Sequence, residues 1–420
     1  MSALLSESEF AKPWLSQFNA CDQPTAVELL DSIVRVSADD FRNRLSDLIR
    51  YYAESVDGPV GLYVERELLT SGNDRKPIPL FCEAANPPRR AIGGGPTPFV
   101  PDNADVGSEG ILAQLVSEFC RRDNVKFLNH PGPDAIRWAP VRALLIITDF
   151  VGSGKRAWSY MQAFWAVYSV RSWCSMRLLK FGVVAYSATS KGENKVRHHA
   201  SHPTIDIVRP CPTIKTAFNI EKKEIVRTLC EKYDPSGKPK RNSVGFDGGG
   251  ALLAFSHGLP NNAPLILHKH SSSKLHPWVP LFPARVTDGA RAEFNDELSA
   301  EQIQRRLEAL NQHRLACSPL LAQANSLGQR TILVLAALRR GTRTEIAIAS
   351  RTGLIIPEVR EIVRHIKAHA FVNDHLLLTD AGHRELKHYR RHNQRTEVYV
   401  PNNTSPYYPG SLRSPREKSS

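Results

Sequence analysis

Apolar residues recur every three or four positions through TAVELLDSIVRVSADDFRNRLSDLIRYYAE: Val27, Leu30, Ile33 and Val34, then Phe41, Leu45, Leu48 and Ile49. That is the period of a helix buried along one face, and it predicts two helices, the second capped by Ser37 or Asp39. GPVGLYVERE and KPIPLFCEA follow as short strands, and NPPRRAIGGGPTPFVPDNADVGS, crowded with Pro and Gly, as an extended loop. A helix resumes at EGILAQLVSEFCRR, with Ser108 at its cap and Glu109 in the first turn, where the helix dipole favours an acid. The pattern then alternates: strand RALLIITDF, helix RAWSYMQAFWAVYSVRSWC, strands LLKFGVVAYSA and TIDIVRPC, helix IEKKEIVRTLCEKY, strand ALLAFSH. Apolar strands separated by helices of this length require crossover connections, so the expected fold is α/β, a mostly parallel sheet flanked by helices.

The period changes after HPWVPLFPAR, residues 276–285, where TDGARAEFNDELSAEQIQ returns to polar helical sequence. RTILVLAALRRG, RTEIAIASRTG and IPEVREIVRHIKAHAF are three short helical segments punctuated by Gly341 and Gly353, and VNDHLLLTDAGHRELKHYRR adds a tight turn, a strand and a helix. That order predicts a small C-terminal winged helix-turn-helix domain. The expected organisation is a helical segment over 1–58 packed on the core, the α/β domain over 59–286, a helical connector over 287–326, the winged helix over 327–395 and a Pro/Ser-rich disordered tail over 396–420.

Charge sharpens this picture. The chain carries a formal charge of +13, and from Gln329 onward sixteen Lys and Arg stand against eight Asp and Glu, so the last domain is where a nucleic-acid partner is expected. Seven scattered cysteines without a C-x-x-C pair argue against a disulfide framework or a cysteine zinc site. No basic leader precedes an apolar run, and no run reaches the ~18 residues of a membrane span, so a cytoplasmic protein away from membranes is expected.

The densest chemistry lies in ALLIITDFVGSGKRAW, where an aliphatic strand runs into Asp149 and then Gly152, Ser153, Gly154 and Lys155. Free backbone N–H groups at the start of a helix favour an anion. A Walker loop is excluded, because Asp149 occupies its first glycine position and Arg156 follows Lys155. A dinucleotide fingerprint fails at Ala157. A plain glycine-rich strand-to-helix turn stays open. The stretch resembles the signature of type I phosphoribosyltransferases, in which acidic residues hold the ribose hydroxyls of phosphoribosyl diphosphate and the following loop wraps its 5′-phosphate. Thr148 stands where that family usually carries the first of two acids, leaving Asp149 alone. The departure predicts weaker ribose or magnesium binding and leaves an altered or inactive site open.

PWLSQF, VGSEGILAQLV, TDFVGSGKR, FDGGGALLAFSHGLPNNAPLILHK and HPWVPLFPAR, in this order over residues 12 to 286, resemble the phosphoribosyltransferase-like effectors of prokaryotic conflict systems, the PRTase-CE type. The resemblance implies a phosphoribosyltransferase-like sheet, an anti-phage defence role, a DNA-binding winged helix as companion, and in some members an association with a retron reverse transcriptase encoded nearby. It implies phosphoribosyl diphosphate or a nucleotide as ligand, with magnesium. Asp149 would stabilise the ribose cation and Gly152 to Lys155 would hold the phosphate. Asn261 and Asn262 offer amides to a base or ribose edge, or form an Asx turn. Gly248 and Gly249, with Gly250, allow close approach of a ligand or simply bend the chain. Gly107, Ser108 and Glu109 would touch the diphosphate end, or only cap their helix, and Arg89 and Arg90 would neutralise it or lie solvated in their loop. The histidines near 198–202 and 268–276 lack a carboxylate or cysteine nearby, so no protein metal site is expected.

In Pro357 to Ala370, Val359, Ile362, Val363 and Ile366 form an apolar stripe, while Arg360, Arg364 and Lys367 recur on another side. That is the pattern of a helix inserted in a major groove, with DNA or a DNA-RNA hybrid as partner. A solvated face on a protein-binding winged helix is the alternative. VNDH would be the wing tip, and Arg384, Lys387, Arg390 and Arg391 would contact phosphates. The function expected is a defence effector binding a ribose phosphate or nucleotide and regulated through DNA. The alternative is a nucleotide-sensing transcription regulator whose phosphoribosyltransferase-like domain is inactive.

Overall fold

The computed structural model describes residues 4–68, 70–71, 76–86, 89–96, 108–236, 242–271, 277–287, 294 and 300–390. Gly107, His276, Arg391 and the tail from 396 lie outside the described residues. A five-stranded, wholly parallel sheet forms the centre, in the order Thr204–Pro210, Lys180–Ala188, Ala143–Val151, Val60–Val64, Phe127–Asn129. Ala143–Val151 lies in the middle because it is apolar on both faces. Leu144 and Ile146 pack with Tyr160, Met161 and Phe164 on one side. Leu145 and Ile147, pointing the other way along the strand, pack with Phe41, Leu45 and Ile49.

Where the periodicity merges neighbouring elements, the structure separates them. The first predicted helix stops at Asp31, and Val34–Val36 becomes a strand paired in parallel with Leu253–Phe255 in a sheet of its own. ALLAFSH therefore does not join the central sheet, and its short run forms part of a second layer. The segment predicted as one helix after the glycine loop breaks at Val167 into Lys155–Trp165 and Tyr168–Ser175. Ser37, not Asp39, caps Ala38–Glu54 by accepting the Asp40 N–H, and Ser108 lies within its helix rather than at the cap.

The second layer has its own core of Trp14, Phe18, Leu252, Ala254 and Trp278. Both indole N–H groups, of Trp14 and Trp278, donate to the Ile266 carbonyl at 3.0 and 2.9 Å, tying the N-terminal segment to residues 252–282. This layer holds the loops around Phe246, His257 and Asn262 against the carboxyl end of the central sheet.

The C-terminal domain is helical: Ser326–Arg339, Glu345–Thr352, Ile356–Ala368 and Asp380–Arg390. Thr344 caps the second helix and Gly353, at φ 73°, ends it in the left-handed region. The expected wing strand is reduced to a single bridge between Val372 and Leu378 around an Asn373 turn. Ile356–Ala368 has Pro357 in its first turn and buries Val359, Ile362, Val363 and Ile366. It docks on the central domain: Glu358 pairs with Arg44 at 3.3 Å, and Arg209 donates to the Gly353 carbonyl at 2.7 Å. A cleft of about 290 Å³ remains between them, lined by Leu48, Ile205, Asp206, Glu345, Ile356 and Arg360. Among the described residues, no helix is long and apolar enough to cross a membrane.

Candidate functional site

In a parallel sheet, ligands approach the crevice beyond the carboxyl ends of the strands. Val64 pairs with Ile147 across the sheet, which places Glu65 beside Thr148. The Thr148 hydroxyl donates to Glu65 Oε2 at 2.6 Å, and both residues are buried. The position where a first acid is missing from the central strand thus has a carboxylate delivered from its neighbour.

Asp149 follows on the central strand, with His257 Nε2 at 3.7 Å from its Oδ2, an ion-pair distance too long for a hydrogen bond. His257 is fixed by stacking on Phe255, centroids 4.9 Å apart, and by the edge of Phe41 at 4.8 Å. Arg156, in the first turn after the loop, pairs with two carboxylates and feels the charge of a third, Asp149: Nε is 3.2 Å from Glu65 and Nη1 is 3.5 Å from Glu109. Burial works to raise the pKa of Asp149, but contact with His257, the Arg156 charge and the Ser108 hydroxyl outweigh it, so this carboxyl titrates below its ordinary range. Burial keeps Glu65 and Glu109 above theirs despite Arg156. Burial alone would depress Arg156, and its carboxylate neighbours, Glu65 foremost, raise it instead. The cluster therefore contains one carboxylate held ionised and two held toward the proton.

The glycine loop closes the other side. Gly154 has φ 70° and leads into helix Lys155–Trp165. A Cβ there would meet the Gly192 carbonyl at 2.6 Å, and one on Gly152 would meet Asn262 Oδ1 at 1.9 Å, so both positions require glycine. Thr189 donates its hydroxyl to the Gly152 carbonyl at 2.6 Å and accepts from the Gly192 N–H, locking the loop to the neighbouring helix. The amides of Ser153, Gly154 and Arg156 donate to no protein acceptor among the described residues. Beyond them Lys155 and Lys191 share Asp247, at 3.3 and 2.6 Å, and Lys155 also lies over the Phe246 ring. Lys191 first, then Lys155, hold Asp247 below the usual carboxylate range.

Asp149, Ser108, Glu109 and the Gly152–Lys155 loop are thus brought together. Asn262 reaches the same place, buried over Gly152, with its side-chain amide donating to the Phe246 carbonyl at 2.8 Å. Asn261 is exposed and uses its carbonyl to accept the Phe246 N–H. Gly249 packs under Asn262, while a side chain on Gly248 would point into open space. Arg89 stacks on Tyr168 and Arg90 lies exposed on a hairpin strand, away from these contacts. His199 is a core histidine bonded to Ser201 and Gln162. Among the described residues no group of three or more His, Cys, Asp or Glu is arranged for a metal. Sequence reading missed Glu65, Arg156 and His257. Each had one signal, a charged or titratable residue directly after an apolar strand or the loop, as in VERE and LAFSH.

On the winged helix, Arg364 and Lys367 are exposed, Lys367 reaching the Asp374 carbonyl at 3.5 Å. Arg360 instead pairs with Glu345 at 2.7 Å and lies over the Tyr51 ring at 5.0 Å. The three basic residues therefore do not share one free face.

No curated protein and no solved structure matches the chain. The family model described as wHTH-PRTase associated matches residues 332–414, the winged-helix region. The PRTase-CE model matches residues 11–284, taking in the central sheet, the second layer and every residue around Asp149, and the chain belongs to the PRTase-CE family.

Proposed function

We propose that the protein is a phosphoribosyltransferase-like defence effector of the cytoplasm that binds a ribose 5-phosphate ligand, phosphoribosyl diphosphate or a nucleotide, and is regulated through DNA or a DNA-RNA hybrid on its winged helix. A retron reverse transcriptase encoded nearby fits the same reading as partner. The observation that carries it is the position of Asp149, at the carboxyl end of the central strand beside open loop amides and two lysines. The amides and Lys155 suit the 5′-phosphate. Asp149 suits a ribose whose C1 gains positive character as its bond to the leaving group breaks, the departing diphosphate or base taking the electron pair and a nucleophile supplying the new bond.

Magnesium would be held mainly by the diphosphate and water, a mode that needs only one or two protein carboxylates. Asp149 fits that demand, and the ion would neutralise the diphosphate. Glu65 and Glu109 are already matched to Arg156. That same internal counter-ion favours a second reading, a nucleotide-sensing regulator without turnover, because Arg156 fills the space between the acids. Incubation with labelled phosphoribosyl diphosphate and magnesium separates the two. Release of diphosphate, lowered about 10²–10³-fold by Asp149→Asn, is the expected result. Calorimetric binding without release, indifferent to that substitution, would leave the sensor.

A further inference from the structure

Four arginines of the C-terminal region converge where helix Asp380–Arg390 packs on both His313–Ala316 and Ser326–Arg339: Arg314, Arg339, Arg340 and Arg390. Two are anchored. Arg340 donates to the Leu310 and Asn311 carbonyls at 2.7 and 3.0 Å, and Arg390 donates to Gln312 Oε1. The other two, Arg314 and Arg339, are exposed, and their side chains make no hydrogen bond or ion pair among the described residues. No carboxylate there lies within ion-pair distance of any of the four. Burial, and then the charges of Arg339, Arg314 and Arg340, press the Arg390 pKa down, so the group is short of negative charge.

Helix ends explain only part of this. A helix C-terminus carries about half a negative charge, so the end of Ser326–Arg339 offsets only about half of one of the four positive charges. Guanidinium forks match phosphate oxygens in geometry as well as charge. Two anchored and two free forks, drawn from three separate segments, make a surface broader than a single small anion.

We propose that Arg314, Arg339, Arg340 and Arg390 form a receptor for successive phosphates of a nucleic-acid backbone, separate from the helix Ile356–Ala368 that would read the groove. The proposal rests on the nucleic-acid reading above and adds a second contact to it. A duplex gripped by both would be fixed in register by the quartet and read by Arg364 and Lys367.

The test is fluorescence anisotropy of the full chain with a labelled duplex over a range of salt, beside thermal unfolding. Arg314→Ser with Arg339→Ser should weaken binding about tenfold and reduce the slope of log affinity against log salt by about 2. The thermal midpoint should hold or rise, because like charges have been removed. An affinity and slope unchanged by the pair, while Arg364→Ala still weakens binding, would overturn the quartet and leave the winged-helix reading intact. A fall in thermal midpoint that accounts for the lost affinity would make the arginines structural and overturn it as well. Inorganic phosphate that protects the wild type and not the pair, with duplex binding indifferent, would make this a free-anion site instead. A wild-type chain that binds no duplex even at low salt would sink both readings together.

Discussion

Arg156 is the residue on which the balance of the acidic cluster turns. With its side chain 46% exposed and Glu65 at 2%, the pair is a buried carboxylate served by a half-solvated cation. Removing one partner of a fully buried pair costs ~3–5 kcal/mol, and the exposure of Arg156 reduces this to an expected ~1–3 kcal/mol for Arg156→Gln near neutral pH. The sign with pH follows from Glu65, whose folded pKa already lies above its unfolded value. Raised further by the loss of Arg156, it binds its proton more readily in the folded state, so the penalty grows as pH rises through that pKa and vanishes below the unfolded one. Thermal midpoints of wild type and Arg156→Gln should therefore converge in acid and separate toward alkaline pH. A constant gap would mean that Arg156 acts through packing and not through charge. Asp149 has the opposite sign: its depressed pKa gives a contribution present above the unfolded value and lost as acid reaches the folded one.

The loops around the site divide two neighbouring asparagines between different duties. Asn262 is buried, fills the place a side chain on Gly152 would take and closes the Phe246 carbonyl, whereas Asn261 contributes only its backbone carbonyl. Asn262→Ala should cost about 1–2 kcal/mol by removing that hydrogen bond, which leaves the Phe246 carbonyl the Gly249 N–H alone, and by loosening the loop, and Asn261→Ala under ~0.5 kcal/mol. Chemical denaturation of the two variants measures the difference, and equal losses would contradict the division. The central strand and its loop were legible because ALLIITDFVGSGK is apolar up to Thr148 and Asp149 and soon after breaks at glycines, a purely local signal. Glu65 was hidden because nothing in VERE tells which strand it will lie beside, and His257 because its strand belongs to the second layer rather than the central sheet. The short strand Val34–Val36 was absorbed into a helical period, since three residues cannot express a period of their own. The basic row of Ile356–Ala368 was legible as a row, but not that Tyr51, from some three hundred residues earlier in the chain, covers its first member.

At the scale of the whole molecule, the docking of Ile356–Ala368 would set the core in competition with a duplex under the proposed nucleic-acid reading. In helix-turn-helix proteins the amino-terminal end of the reader helix contacts the bases. Here that end carries Glu358, shared between Arg44 at 3.3 Å and Arg330 at 3.1 Å, and Arg360 against Tyr51, so its first two turns face the helix Ala38–Glu54. Arg306, half-buried near Gly353 and brought down to about 10 by burial and then by Arg209, adds to the same interface a positive charge that no ion pair among the described residues offsets. If a duplex needs this end, only undocked molecules bind, and the apparent affinity falls by the fraction undocked. Tyr51→Ala with Arg44→Ala removes the cation–π contact and the Arg44–Glu358 pair across the interface, together worth about 1–2 kcal/mol, besides the Arg44–Asp40 pair within its own helix, and should raise duplex affinity about five- to thirtyfold. The same variant should quicken amide exchange along Ile356–Ala368 without changing the thermal midpoint of the winged helix itself. Faster exchange with unchanged duplex affinity would show that the nucleic acid lies on the opposite side, against Arg364 and Lys367 alone, and that the core holds this helix without competing for it.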